Sequence, residues 1–238
     1  GEDYFLRERA EDIAWHTEAI ADHNHERGAL VLVRPAGEPP IGNATQIFVH
    51  TLDEPSTFAR ICAALETLDL TIHDARIYSD TDGSTLDTFF ALKNDGSSLD
   101  SHPDTFQEIE DRIRQHLSES ELKTVSRHTP RTVKAFTIPT TVQFSQDETS
   151  HLTTLEVTTA DRPGLLARLG SVLSRYDVSV QGAKIQTLGE RVEDIFFLAD
   201  ATGGQLKDEA LLASLENDLI EALGSGQQED SAVSELTI

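Results

Sequence analysis

The sequence predicts an α+β protein built from two tandem copies of one β-α-β-β-α unit, each completed by an edge strand, with a helical segment in front. Three observations predict it. First, the chain repeats itself at a spacing of 108 residues: Asp53-Glu54-Pro55-Ser56-Thr57-Phe58-Ala59-Arg60 lies over Asp161-Arg162-Pro163-Gly164-Leu165-Leu166-Ala167-Arg168. The match runs on through Leu65/Leu173, Asp69/Asp177, Ala75/Ala183 and Ile77/Ile185. After the loss of one residue, Asp87-Thr88-Phe89-Phe90 lies over Asp194-Ile195-Phe196-Phe197. Second, both copies switch hydrophobic period in the same order. Third, each copy is preceded by a spare β-prone run, over 29–34 and 141–145.

The elements follow in order. β-prone runs over 46–51 and 152–159 each end in Asp-x-Pro, which predicts a helix with Pro in its first turn and Asp just upstream. Apolar residues then recur at helical spacing: Phe58, Ile61, Leu65 and Leu68 in copy one, and Leu165, Leu166, Leu169, Val172, Leu173 and Tyr176 in copy two. Strands follow over 70–78 and 178–187, then turns at Asp80-Thr81-Asp82-Gly83 and Leu188-Gly189-Glu190. Third strands span 85–92 and 192–199. The closing helices are striped by Phe106, Ile109, Ile113 and Leu117, and by Leu211, Leu212, Leu215, Leu219 and Leu223. This is the split βαβ, ferredoxin-like order, which needs a further strand beside the first. The spare strands are expected to fill that edge, because little chain follows the second unit.

Residues 1–27 read as a helical linker from a missing upstream domain, with Phe5, Ile13, Trp15 and Ile20 as its apolar contacts and Trp15 partly buried. Residues 28–120 form the first unit, 121–139 a linker, 140–224 the second unit, and 225–238 a flexible Gly/Ser/Gln/Glu-rich tail. Lys123, Arg127, Arg131 and Lys134 make the linker the most basic stretch. The chain has no Met, so a piece of a longer protein is expected.

The 42 acidic residues against 19 Lys and Arg give a formal charge of −23. That field repels phosphate backbones and anionic membranes, so neither nucleic acid nor membrane is expected as a partner. Acid-rich, lysine-poor surfaces suit high salt, where repulsion is screened. No run of apolar residues is long enough to span a bilayer. Cys62 is the single cysteine, which excludes an internal disulfide and fits a reducing cytoplasm.

The candidate site is the strand-to-helix turn at Asp161–Leu166. Unpaired N–H groups at a helix N-terminus suit a carboxylate. Gly164, read as a first-turn residue with negative φ, lets a ligand approach, and Asp161 is placed for an ammonium. A free amino acid carries both groups. The same residues also serve as a plain N-cap and a packing glycine, and local physics leaves both readings open.

Asp161-Arg162-Pro163-Gly164-Leu165-Leu166, then Val178-Ser179-Val180, Ala183-Lys184-Ile185 and Asp194-Ile195-Phe196-Phe197, resemble the ACT domain, a ferredoxin-like module that often binds amino acids and regulates attached enzymes. Copy one resembles it with Ser56 where Gly is expected. With Tyr4-Phe5-Leu6-Arg7 and Ile13-Ala14-Trp15-His16 in front, the chain resembles the carboxyl end of the bifunctional uridylyltransferase/uridylyl-removing enzyme family. That resemblance implies glutamine, or another small amino acid, as effector, and the nitrogen signal protein PII as partner through the parent enzyme. It implies magnesium only for the catalytic domains of that parent, and a possible homodimer through ACT pairing.

ACT ligand sites form where the Asp-x-Pro turn of one domain faces the second strand of another. The resemblance therefore implies Asp161, Arg162, Pro163, Gly164, Leu165 and Leu166 as the strong turn, and Asp53, Glu54, Pro55, Ser56 and Thr57 as the weak one. The matching strand positions are Ser179, Gln181 and Gly182, with Thr71, His73 and Asp74. Both strands change parity there, from Leu70 and Ile72 to Ala75 and Ile77, and from Val178 and Val180 to Ala183 and Ile185, which predicts a β-bulge in each.

Other constellations carry less. His23 and His25 lack further ligands for zinc. Cys62 sits beside Ile61 with no electropositive neighbours. Asp80-Thr81-Asp82-Gly83 begins like a calcium loop but reads as a hairpin turn. No nucleophile–base or metal set appears, so no catalytic residue is assigned to this chain. Three rival classes remain: an ACT regulatory pair of another amino-acid enzyme such as an aspartate kinase, a ligand-free dimerisation module, and a small enzyme.

Overall fold

The computed structural model describes residues 2–24, 28–37, 43–78, 83–99, 102–119, 138–146, 151–188 and 190–224. Helices α1 (Glu2–Arg7) and α2 (Ala10–Asp22) come first. Copy one is β1 (Leu30–Pro35), β2 (Thr45–Leu52), α3 (Thr57–Thr67), β3 (Leu70–Arg76), β4 (Ser84–Lys93) and α4 (Pro103–Ser118). Copy two is β5 (Thr141–Gln146), β6 (Thr153–Ala160), α5 (Leu165–Arg175), β7 (Ser179–Lys184), β8 (Thr187–Leu188), β9 (Arg191–Ala199) and α6 (Glu209–Gly224). The readings for His25, for Asp80 to Asp82, for Gly189, for the basic linker residues and for 225–238 lie outside the described residues.

The spare strands take the edge, as expected. β1 is antiparallel to β2 and β5 to β6, and the sheet order is β1-β2-β4-β3-β7-β9-β6-β5. β3 and β7 meet through Ala75 and Ala183, so the two copies pair within one chain. Above that seam α3 packs on α5. A Cβ on Gly170 would lie 2.9 Å from the Ala59 Cβ, so these helices approach too closely for a larger residue there. One apolar core runs through both copies, with Phe89, Leu65 and Ile113 fully buried in the first and Phe196, Leu155 and Leu169 in the second.

Each copy ends its first helix with an aspartate in the left-handed region, Asp69 (φ 60°) and Asp177 (φ 53°). Aspartate tolerates this conformation better than most residues. The second strands are shorter than expected. β3 stops at Arg76 and β7 at Lys184, and a buried carboxylate takes the backbone N–H two residues further on in each copy: Asp87 that of Tyr78, and Asp194 that of Gln186 at 3.0 Å.

The N-terminal segment is two helices rather than one. It breaks at Glu8 and Arg9, where Arg9 is extended and Glu8 pairs with Arg76 of β3 at 2.9 Å. Phe5 is 66% exposed and only meets the Tyr4 ring edge-on at 5.2 Å, and Tyr4 is the residue that is buried. The Tyr4 hydroxyl shares a 2.7 Å hydrogen bond with His16 Nδ1, and the His16 ring stacks on Phe48 at 3.7 Å. Asp12 pairs with Arg34, whose guanidinium lies over the half-buried Trp15 ring at 3.8 Å. The helices thus cover the outer face of copy one's sheet.

Burial pushes the His16 imidazole down to about 4. The unfolded chain therefore binds a proton at this residue that the fold refuses, and the His16 contribution to stability falls as pH drops from about 6.5 towards 4. His16→Phe keeps the stack on Phe48 and is expected to reduce that loss, as measured by urea unfolding at pH 7 and pH 4.5.

Candidate functional site

The antiparallel seam brings the start of β3 toward the end of β7. The turn after β6 therefore meets copy one. Each turn is tied to its own hairpin, by Asp161 N–H to the Glu190 carbonyl at 2.8 Å and by Asp53 N–H to the Gly83 carbonyl at 2.9 Å.

The turns are not the helix starts expected from the sequence. α3 begins at Thr57 and α5 at Leu165, two residues after the prolines. Pro55 and Pro163 instead occupy the second position of a β-turn, closed by Thr57 N–H to Glu54 O at 2.9 Å and by Leu165 N–H to Arg162 O at 3.3 Å. The third position decides the type. Ser56 (φ −88°, ψ −8°) gives type I geometry, whereas Gly164 (φ 76°, ψ 10°) gives type II. Gly164 is therefore required by a positive φ, which corrects its reading as a first-turn residue with negative φ. Asp161 is not the N-cap, and Thr57 Oγ1 accepts from Glu54 N–H at 3.2 Å in copy one.

The space beside Gly164 is also filled. A Cβ there would stand 2.7 Å and 2.8 Å from the two carboxylate oxygens of Glu66, a buried residue near the end of α3. A carboxylate already occupies the α5 N-terminus, where a ligand carboxylate was expected. Sequence reading missed Glu66 because the contact crosses between copies.

The strand positions fall as follows. Both predicted bulges are present, with the register shifting between Ile72 and Asp74 and between Val180 and Gly182. That leaves His73 and Gln181 as the bulged residues. Burial pushes the His73 imidazole below its ordinary range, and the Asp161 carboxylate opposes this, so these two candidate residues sense each other across the seam. Asp74 Oδ2 accepts from Arg76 at 3.3 Å, Thr71 donates to Asn94 at 2.7 Å, and Gln181 donates to Ser179 Oγ at 3.1 Å. Gly182 is buried, with Phe197 3.2 Å from where a Cβ would sit. Asp161 is exposed, Arg162, Pro163 and Leu166 are half-buried, and Leu165 is buried. In the other turn Asp53 and Ser56 are half-buried, Glu54 and Pro55 exposed and Thr57 buried.

Behind each turn lies an acid that the sequence reading matched in the repeat but gave no role. Asp87 and Asp194 are each 1% exposed. Desolvation pushes their carboxyls up to about 8 and about 7, and the Asp53 and Asp161 charges push the same way. An acid within the apolar runs Asp-Thr-Phe-Phe and Asp-Ile-Phe-Phe was the available signal. A surface cavity of about 410 Å³, lined by Tyr176, Asp200, Gln205 and Leu206, lies at the opposite end of copy two. Among the described residues no group of three or more His, Cys, Asp or Glu could hold a metal ion, and no helix is long and apolar enough to cross a membrane.

Comparison with known proteins agrees with the class that this geometry defines. The ACT domain model matches 153–218, and the model of the plant bHLH transcription factor ACT-like domain matches 42–118. This is an α+β chain of two ferredoxin-like ACT units. The model of the uridylyltransferase GlnD fifth domain matches 1–19, the helices that cover copy one. The chain is 41% identical over its whole length to a bifunctional uridylyltransferase/uridylyl-removing enzyme of Pseudomonas putida (strain GB-1), covering 27% of that protein. It is 43% identical to that of Ectopseudomonas mendocina over 94% of the chain, and 42% identical to that of Azotobacter vinelandii over 95%, covering 25% of each. The chain thus spans about a quarter of the curated relatives it matches.

Two outcomes are expected. Gly164→Ala places an L-residue at φ 76°, which costs about 1–2 kcal/mol, and adds a clash with Glu66. In urea unfolding, Glu66→Ser should recover the clash but leave the conformational cost, so the two substitutions couple. Separately, the fold holds protons on Asp87 and Asp194 that the unfolded chain has released. Their contribution to stability therefore falls as pH rises from about 4 through about 7 and 8. Asp87→Asn should flatten that fall, measured by the same method.

Proposed function

We propose that this chain is the amino-acid-sensing region of an enzyme that adds and removes uridylyl groups on the nitrogen signal protein PII, with glutamine as its effector. Similarity along the whole chain to bifunctional uridylyltransferase/uridylyl-removing enzymes supports the parent activity. The observation that carries the sensing role is the intrachain seam, across which Asp161 of one ACT unit faces His73 in the bulged strand of the other. Asp161 is exposed and placed to receive an ammonium group, and polar groups around Thr71 and His73 an amide. The α-carboxylate must either displace Glu66 or bind elsewhere along the turn.

Catalysis, with its magnesium, belongs to other parts of the parent, which works in the cytoplasm, and PII is met through the parent. A homodimer is not needed to bring two ACT units together, since one chain already does so.

Calorimetry of the 238-residue chain against the common amino acids tests this reading. Glutamine should give saturable heat, and the purified chain should neither add uridylyl groups to PII nor remove them. Saturable heat with another amino acid alone would assign the pair to a different effector, and silence with all of them, together with self-association, would favour the dimerisation module.

A further inference from the structure

The duplication supplies an internal control for the two buried acids. In copy one, Asp87 accepts from the Thr85 hydroxyl and from the Tyr78 backbone N–H. In copy two, Asp194 Oδ1 accepts the equivalent N–H, that of Gln186, at 3.0 Å. The position equivalent to Thr85 is Val192, which has no hydroxyl. Asp194 Oδ2 is accordingly buried with no hydrogen-bond partner among the described residues. Thr85 and Val192 are both fully inside, 1% and 2% exposed, so the difference lies in chemistry and not in position.

An acceptor left bare in the interior is expensive, and native folds rarely keep one without a use. A threonine at position 192 would remove the cost, as copy one demonstrates. The bare oxygen sits behind the turn that ends in Gly164, in the field of Asp161 and so of the same site. Once the carboxyl has given up its proton, as it has by pH 8, that oxygen asks for an N–H or O–H donor. Beside a second carboxylate the favoured donor is a protonated amine, because charge-assisted hydrogen bonds in a dry site are the strong ones.

We propose that Asp194 is a ligand-binding residue of the second unit, its Oδ2 receiving the ammonium group of an amino acid held at the Asp161 turn. The inference rests on the amino-acid-sensing reading above and adds to it a residue and a polarity. The ammonium end of the ligand points under the turn, toward β9, and its carboxylate points away from Glu66. The oxygen is closed to solvent, so the turn must lift for the ligand to enter. Copy one, whose acid is already satisfied by Thr85, has no such receptor.

The test uses two variants of the whole chain, Val192→Thr and Asp194→Asn, with glutamine as probe at pH 8. Val192→Thr should raise the urea midpoint, because it supplies the missing donor, and at the same time weaken glutamine binding at least tenfold. Asp194→Asn keeps the acceptor for Gln186 and should also weaken binding at least tenfold, with circular dichroism unchanged. Wild-type affinity in both folded variants overturns the role of Asp194 while leaving the sensing function in place. Absence of binding by the wild-type chain to glutamine and to every other common amino acid overturns both.

Discussion

The pairing of β3 with β7 is the constraint on which the rest of the molecule depends. Each ACT unit alone is a sheet with four main strands, to which copy two adds the short β8 beside β9, with its α3–α4 or α5–α6 pair on one face, and its second strand is an open edge. Joining the edges makes one sheet, lets α3 close onto α5 at Ala59 and Gly170, and merges two small cores into one. It also fixes which groups meet at the turns. Asp161 feels His73, and Gly164 feels Glu66, only because the strands run antiparallel past each other at Ala75 and Ala183.

Around that seam the copies share a set of backbone devices. The left-handed aspartates, the bulges at His73 and Gln181, and the acids that take a backbone N–H just beyond β3 and β7 recur at equivalent positions. These features shape the strand ends in both units alike. What differs is chemistry at the turns: Ser56 against Gly164, Glu66 against Ser174, and Thr85 against Val192. Each difference sets the second turn apart, through its type II geometry, the carboxylate across the seam and the unsatisfied acid behind it. The pseudo-symmetric scaffold therefore presents two unlike sites.

The fold was largely legible in the sequence, because a duplicated pattern states every element twice. The bulges could be read from the parity change between Ile72 and Ala75 and between Val180 and Ala183, since a pleated strand alternates faces and an extra residue must break the alternation. The turn was legible as a place but not as a geometry. Asp-x-Pro suits both a first helical turn and a β-turn, and only the φ of Gly164 decides between them. Glu66 and the pairing of Asp12 with Arg34 were not legible, because contacts between distant segments leave no local periodicity. The break at Glu8 was hidden for the same reason, as its partner Arg76 lies in β3.

The N-terminal helices make the two units unequal in a further way. They cover copy one's outer face, where Gln46, Phe48 and His50 of β2 are buried. The matching positions on β6 are Thr154, Glu156 and Thr158, with Glu156 exposed. Any mechanical link between the segment at 1–19 and the ACT pair therefore enters through copy one. Contacts then run continuously to the second turn: Glu8 holds Arg76, Arg76 lies on β3 with His73, and His73 faces Asp161. Adjacency alone does not transmit a signal. A ligand shifts such an arrangement only by the difference in its affinity for two states of the turn. Asp194 is the group able to create that difference, because an ammonium that satisfies its bare oxygen changes the energy of the turn, while the Glu66 carboxylate beside Gly164 holds the unliganded arrangement.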